Sequence, residues 1–310
     1  MSLYRKIQSI KAQIIDTERL LEIVHGHPLM SEGLEDKLRT LKSELESLPK
    51  ESFETSLQLL FSGNAVYGSQ GIKSTFVSKI ITPIQGMIKT QLAIVKYGKV
   101  GNRGKTKKKA NTDLFLTALP TGSFGIELSQ IDNNEHDLFD TIDTSEAIKS
   151  VMNLIANTAK DDETFESTIE KMPKRNLKNL KKFLQEIAEE NSILKMESGE
   201  LAIELSKEKV IEASHRVSST TEVENEIIIN GIFRGLLLDS GKFEIQNENG
   251  NRLSGFISED LSEEQLIEYD KLFLNTDCTI HLKVHLTRFV TGNEKTDYEL
   301  IEIERNIQIL

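Results

Sequence analysis

The sequence is poor in several residue types, and each shortage excludes a class of protein. Cys278 is the only cysteine, and there is no tryptophan. A single cysteine forms no internal disulfide and builds no cysteine-rich zinc site. No apolar run reaches the roughly 18 residues that a membrane-spanning helix needs, and the first residues, MSLYRKIQSIKAQ, lack the apolar core of a secretory signal. We therefore expect a cytoplasmic protein with no membrane segment.

Catalytic and cofactor-binding motifs are also missing. There is no G-x-x-x-x-G-K-[ST] phosphate loop, no G-x-G-x-x-G dinucleotide loop and no G-x-S-x-G nucleophile elbow. His281 and His285 share one face of a predicted strand, but at roughly 3.3 Å per residue they stand about 13 Å apart. Because zinc bonds are about 2 Å long, these two histidines cannot share one ion. We expect no cofactor and no metal, while scattered carboxylates with a lysine leave a metal-dependent nuclease open as an alternative.

Charge is abundant and unevenly placed. The 310 residues carry a net charge of −11, with 28% charged and 38% hydrophobic residues, which is typical of a globular chain of two or three domains. Seven basic and no acidic residues lie between Lys96 and Lys109. A uniformly acidic protein repels nucleic acid, so any contact with a polyanion must be local.

The basic residues form two candidate binding clusters. The first lies in a glycine-containing loop, and the second recurs at spacings of three and four on a predicted helix, which places its members on one helical face. If the clusters face the same way, they form a patch with three alternative roles: it binds a protein partner or a second copy of the chain, it binds DNA or RNA without sequence readout, or it has no specific role and is simply solvated. The candidate residues are Lys99, Arg103, Lys105, Lys107, Lys108 and Lys109 in the loop, and Lys174, Arg175, Lys178 and Lys181 on the helix.

The first fifty residues show heptad spacing. Two apolar stripes, separated by the breakers Gly26, Pro28 and Gly33, predict a helical hairpin. Neither stripe is buried by its own helix, so the stripes pair within one chain or form a dimerisation coiled coil. The candidate oligomerisation residues are Leu3, Ile7, Ile10, Ile14 and Leu21 in the first helix, and Leu34, Leu38, Leu41 and Leu45 in the second.

The remaining patterns predict an α+β fold of three parts. We assign residues 1–50 to a coiled-coil-like helical hairpin, 51–221 to a central α/β domain and 222–310 to a small β-barrel. In the central part, DLFLTALP with GSFGIELS and ILKMES with ELAIELS predict two β-hairpins. From Ile227 the hydrophobic period changes to two, and five candidate strands with one helix between the third and fourth indicate a closed barrel.

Several stretches carry a family resemblance. The chain resembles a group of uncharacterised bacterial proteins in several short stretches. These are FSGNAVYGSQGI before a long helix, then TALPTGSFGIELS, and then GIFRGLLLDSGKFEI with GFISEDL. In that group an N-terminal module carries an RGSFGF-like hairpin and the chain ends in a small β-barrel; here Thr121 replaces the basic residue of that hairpin. Members resemble components of phage-defence and mobile-element gene clusters. The resemblance covers residues 57–305 in outline and implies no residue role.

These observations predict a binding protein. The leading hypothesis is a non-catalytic binding or scaffold subunit of a bacterial complex, active in anti-phage defence and self-associating through the N-terminal helices. The alternatives are a nucleic-acid-binding protein acting through the basic loop and a metal-dependent nuclease subunit.

Overall fold

The chain adopts a mixed α and β architecture. A computed structural model describes residues 3–24, 28–48, 54–68, 70–98, 113–118, 124–131, 138–238, 240–258 and 260–306. Within these ranges the chain forms an N-terminal pair of helices, a five-stranded antiparallel sheet with helices, and a closed five-stranded barrel. The predicted fold class is therefore confirmed. No described helix is long and apolar enough to cross a bilayer.

The N-terminal pair consists of α1 (Leu3–Ile23) and α2 (Pro28–Ser47). The two helices run antiparallel, since Lys6 near the start of α1 pairs with Glu44 near the end of α2 at 3.3 Å. The stripe side chains are buried or half-buried, while most other positions are exposed. The apolar ridges are thus covered within one chain, and α1 also lies against the central sheet.

The central domain is built around one sheet in the order β4-β5-β1-β6-β7, with every neighbouring pair antiparallel. A small ribbon of β2 and β3 precedes the first long helix. The strands are β1 (Ser56–Ser62), β2 (Val66–Tyr67), β3 (Gly71–Ile72), β4 (Leu114–Ala118), β5 (Gly125–Gln130), β6 (Ile193–Ser198) and β7 (Leu201–Leu205). The helices are α3 (Ser74–Tyr97), α4 (Leu138–Lys160), α5 (Asp162–Glu170), α6 (Lys174–Glu189) and α7 (Lys207–Ser218).

One face of the sheet forms the main core. Leu57, Leu59 and Phe61 alternate along β1 toward the helices and are at most 1% exposed. Phe61 meets Phe76 of α3 edge-on, with ring centroids 5.0 Å apart. The period-2 pattern of this strand and the apolar faces of the helices therefore produce one continuous core.

The other face of the sheet is polar yet also covered. Gln58 of β1 donates from Nε2 to Glu127 Oε2 on β5 at 2.6 Å, and Glu197 of β6 is 1% exposed. Leu60 is buried on this second face of the sheet and does not belong to the main core. The central strand β1 is therefore buried on both faces, with apolar side chains on one face and Gln58 and Leu60 on the other.

The C-terminal part is a closed barrel. Its elements are β8 (Thr221–Leu237), β9 (Lys242–Asn247), β10 (Arg252–Ile257), α8 (Glu263–Phe273), β11 (Asp277–Arg288) and β12 (Glu294–Arg305). The barrel order is β10-β12-β11-β8-β9, and β10 pairs with β12 in parallel. A five-stranded Greek-key barrel with this order and a helix after its third strand has the topology of an OB fold.

The barrel interior is filled by alternating side chains. Phe233, Phe243, Ile280 and Leu300 are fully buried there. Gly255 on β10 makes the closure feasible, because a Cβ atom at this position would lie 2.2 Å from the carbonyl oxygen of Tyr298. Barrel closure therefore depends on a close approach that only glycine permits.

Candidate functional site

The barrel is docked on the central domain through the turn between β11 and β12. Phe289 packs edge-on against Phe165 of α5, with centroids 6.0 Å apart. Glu166 of α5 accepts a hydrogen bond from the Thr291 hydroxyl and another, at 2.7 Å, from Asn293 Nδ2. At this turn, barrel and helices therefore meet through an apolar contact and a carboxylate, and Lys295 of β12 adds a hydrogen bond from Nζ to the carbonyl oxygen of Met172 at 3.2 Å.

The buried face of β11 changes along the strand. Cys278, Ile280 and Leu282 are buried inside the barrel, whereas His285 and Thr287, on the opposite face of the strand, are buried farther along. The sequence pattern predicts His285 on the outer face of β11 and favours a surface histidine. His285 lies on the predicted face of β11, but the prediction that it is exposed is wrong, because His285 is 0% exposed at this end of the barrel.

His285 belongs to a buried polar cluster. Its Nε2 donates to Glu299 Oε2 at 2.7 Å, and Ser258 Oγ donates to Glu299 Oε1 at 2.8 Å. Phe256 stacks on the imidazole with ring centroids 5.7 Å apart. Glu224 Oε1 lies 3.5 Å from Nδ1, which has no hydrogen-bond partner among the described residues.

This cluster has the composition of a catalytic triad but a different order. In a triad the histidine stands between the hydroxyl and the carboxylate and takes the hydroxyl proton. Here Glu299 stands between Ser258 and His285, so the imidazole does not activate the hydroxyl. Burial opposes ionisation of Glu299, but the hydrogen bonds from His285 and Ser258 outweigh it and lower its pKa. The arrangement stabilises a buried carboxylate and holds β10, β11 and β12 together.

The predicted basic helix face is partly used inside the molecule. Lys174, the first residue of α6, is 8% exposed, and burial lowers its pKa against the attraction of Glu222, Glu224 and Asp297 of the barrel strands. Arg175 is half-buried beside it. Lys178 is exposed, and Lys181 is half-buried with its Nζ 3.4 Å from the carbonyl oxygen of Ser218.

The other predicted cluster follows α3. Lys99, Arg103, Lys105, Lys107, Lys108 and Lys109 lie outside the described residues. Helices α3 and α6 run antiparallel, since Lys79 pairs with Glu186 at 2.9 Å and Gln91 contacts Met172 at 3.4 Å. The end of α3 therefore lies near the start of α6, and the basic loop departs from the end of the domain at which Lys174 meets the barrel.

The predicted oligomerisation residues line the hairpin interface. Ile10 and Leu41 are 3% and 7% exposed. The remaining stripe positions with described side chains are half-buried, namely Ile7, Ile14, Leu21, Leu34, Leu38 and Leu45. Leu3 is the first residue of α1. Of the two predicted arrangements, pairing within one chain is thus present, and self-association stays a prediction.

The barrel carries most of the negative charge. Residues 221–306 contain 18 aspartate and glutamate residues and eight lysine and arginine residues, a net charge of −10 against −11 for the whole chain. The rest of the chain therefore has a net charge of only −1, and within it residues 96–109 carry seven basic and no acidic residues.

A second group of polar side chains lies on the outer face of the barrel. His281 of β11 stands opposite Glu302 of β12, and Glu304 lies two residues farther along the same strand. Histidine spacing within one strand did not reveal this group. The sequence signal for this group is the alternation in YELIEIE, which puts both glutamates on one face of β12. Antiparallel pairing of β12 with β11 then places that face beside His281.

Comparison of the chain with protein-family models, with curated proteins and with solved structures gives no match.

Proposed function

We propose that this chain is a binding and scaffold subunit that assembles through oppositely charged surfaces. The barrel is the acceptor, and the basic stretch 96–109 of a second copy is the segment that it receives. The observation that carries this proposal is the separation of charge: −10 on the barrel and seven basic residues within fourteen positions of the central domain. Complementary surfaces of this kind attract and orient partners at ordinary ionic strength.

The acidic barrel argues against nucleic acid as its own ligand. OB folds bind oligonucleotides on their second and third strands, flanked by the loops after the first and fourth strands. In this barrel the loop after the fourth strand is held on α5 by Phe289, Thr291 and Asn293. A phosphate backbone would also meet a net charge of −10. A basic protein segment suits this surface better.

The N-terminal helices offer a second contact between copies. Their ridges face each other within one chain, but apolar side chains remain on the outside of the hairpin. Ile23 and Met30, near the connection between the helices, are 77% and 59% exposed. These residues support self-association through the outer surface of the hairpin rather than through the heptad stripes.

Sedimentation velocity of the full chain tests the charge-driven assembly. We expect an oligomer at about 50 mM salt that dissociates at about 500 mM, because screening shortens the reach of charge–charge attraction. The variant K105Q/K107Q/K108Q/K109Q should be monomeric at the lower salt concentration. The control K11Q/K37Q/K207Q/K209Q removes the same charge from exposed positions elsewhere and should assemble like the parent. A monomeric parent at low salt, or an oligomer insensitive to both salt and the loop variant, would refute the proposal.

Nucleic-acid binding through the same basic stretch is the second candidate function. It is supported by the antiparallel packing of α3 and α6, which brings the start of the loop near α6, where Lys178 and Lys182 are exposed. Fluorescence anisotropy with single-stranded DNA, duplex DNA and RNA would show affinity falling steeply with salt. No binding at low salt, or binding unchanged in K105Q/K107Q/K108Q/K109Q, excludes this function.

The proposed setting is a cytoplasmic bacterial complex in anti-phage defence, and it rests on the sequence resemblance alone. Phage plating efficiency on cells that carry the surrounding gene cluster with and without this gene is the direct test. Equal plating efficiency would remove defence as the setting. A plasmid left uncut with Mg²⁺ or Mn²⁺ would likewise remove the nuclease alternative.

A further inference from the structure

We propose that His281, Glu302 and Glu304 form a binding site for a divalent transition-metal ion on the outer face of the barrel. One imidazole nitrogen and two carboxylate oxygens are a ligand set that zinc accepts in proteins. The three ligand atoms lie within 4.8 Å of one another. This site lies on the acidic barrel, and binding of a metal ion there does not depend on the proposed function.

The backbone brings the three side chains together. His281 of β11 pairs directly with Glu302 of β12, and Glu304 projects from the same face because side chains alternate along a strand. The register shifts between His281 and Leu282, so a bulge lies at this point of the ladder. Bulges re-aim side chains at sheet positions that have a local function.

The distances fit an ion after small side-chain rotations. His281 Nε2 and Glu304 Oε2 are 3.6 Å apart. A tetrahedral ion with bonds of about 2.1 Å holds its ligands about 3.4 Å from one another. The Glu302 and Glu304 side chains are exposed, so they are able to close the remaining distance without disturbing the core.

His281 gives an independent reason to infer a ligand. The side chain is 27% exposed, but its Nε2 is itself shielded from water and makes no hydrogen bond among the described residues, the Glu304 carboxylate being 3.6 Å away. A shielded polar nitrogen without a partner is uncommon in proteins, because leaving it unsatisfied costs free energy. The nitrogen lies beside the two carboxylates, so a cation between them would give it a partner and would replace water on the exposed carboxylates.

Local electrostatics favour a cation at this position. Glu302 and Glu304 stand on one face of β12, and their charges repel each other. A divalent ion would neutralise the two glutamates, and with three protein ligands it would keep an open position for water or a group from another molecule.

Calorimetric titration of the chelator-treated full chain with Zn²⁺ tests the site. We expect the parent to show a binding event that is weakened about 10- to 100-fold in His281→Ala and in E302Q/E304Q. The matched control E244Q/E248Q removes two exposed carboxylates from another part of the barrel and should leave this event unchanged. The exposed glutamine variants keep the fold, so loss of binding is separable from unfolding.

Paramagnetic broadening by Mn²⁺ gives the position of the ion. Amide signals of residues 279–283 and 300–305 should broaden first, and E302Q/E304Q should abolish this selectivity. The proposal is overturned if Zn²⁺ binds the parent and both site variants equally, if no Zn²⁺ binds at millimolar concentration, or if broadening is confined to other parts of the chain.

Discussion

At the scale of single residues, Glu299 shows how a buried charge is kept in this protein. The residue is 8% exposed, and isolation from water at such a position is unfavourable for a carboxylate. Two donors, Ser258 Oγ and His285 Nε2, lie within 2.8 Å of its oxygens. Hydrogen bonds to an ionised group are stronger than those between neutral groups. The cluster is therefore stable only while Glu299 is ionised.

Replacement of Glu299 by glutamine should destabilise the protein in a pH-dependent manner. The pKa of Glu299 is lowered from 4.5 in the folded state, so its contribution is complete above pH 4.5 and is lost as the pH falls through the lower folded value. At pH 7 we expect a loss of about 2 kcal/mol in the free energy of unfolding. Urea denaturation of the parent and of Glu299→Gln between pH 3 and pH 7 measures the difference.

The control for this experiment is Glu244→Gln, an exposed position on β9. Its effect should stay within about 0.5 kcal/mol at every pH. A Glu299→Gln variant as stable as this control at pH 7, or a difference that grows on acidification, would contradict the account of the cluster.

At the scale of elements, local patterns identify most helices and strands, and the contacts between them escape prediction. The turn at Ser198-Gly199 is predicted from glycine, and Gly199 indeed has a φ of 56° between β6 and β7. The five barrel strands follow from period-2 alternation. The burial of His285 and Lys174 does not, because both depend on which distant element covers an outward-facing position. Periodicity assigns a residue to a face, and tertiary packing decides whether that face meets water.

The hairpin gives a prediction about its two faces. Leu41 is 7% exposed in the ridge of α2, and Leu20 of α1 is 46% exposed. Leu41→Ala should destabilise the hairpin by about 2 kcal/mol, because it leaves a cavity between the helices, whereas Leu20→Ala should cost less than about 0.5 kcal/mol. Hydrogen exchange of α1 and α2 measures the effect. Equal effects of the two substitutions would show that the ridges do not face each other.

The contact between α6 and the barrel strands gives another testable prediction. Lys174→Ala removes a side chain whose stem is buried between α6 and the barrel strands, and we expect a loss of about 1 to 2 kcal/mol from lost packing, because burial of the charge outweighs its attraction to Glu222, Glu224 and Asp297. Hydrogen exchange should accelerate at the start of β8 and in β12 near Asp297. Lys178→Ala, at an exposed position of the same helix, is the matched control. Unchanged exchange in the Lys174 variant would argue against a stabilising contact between α6 and the barrel at this residue.

At the scale of the whole molecule, charge is sorted between parts that the sequence already delimits. Within the net charge of −11, the barrel has a net charge of −10 and one stretch holds seven basic residues. Both numbers can be counted from the sequence once the barrel boundary is known. What the sequence could not supply is the use of Lys174 inside the molecule and the grouping of His281 with two glutamates across a strand pair. Both arise from pairing between residues far apart in the chain.

The central claim is that the basic stretch of one copy binds the barrel of another, and zero-length crosslinking of the full chain tests it directly. Equal amounts of ¹⁴N- and ¹⁵N-labelled protein are mixed, treated with a carbodiimide that joins lysine to carboxylate, and analysed by mass spectrometry. We predict mixed-label crosslinks between lysines 105, 107, 108 or 109 and carboxylates of residues 221–306. Crosslinks from these lysines that are all of a single label, or that reach only the central domain, would contradict the account.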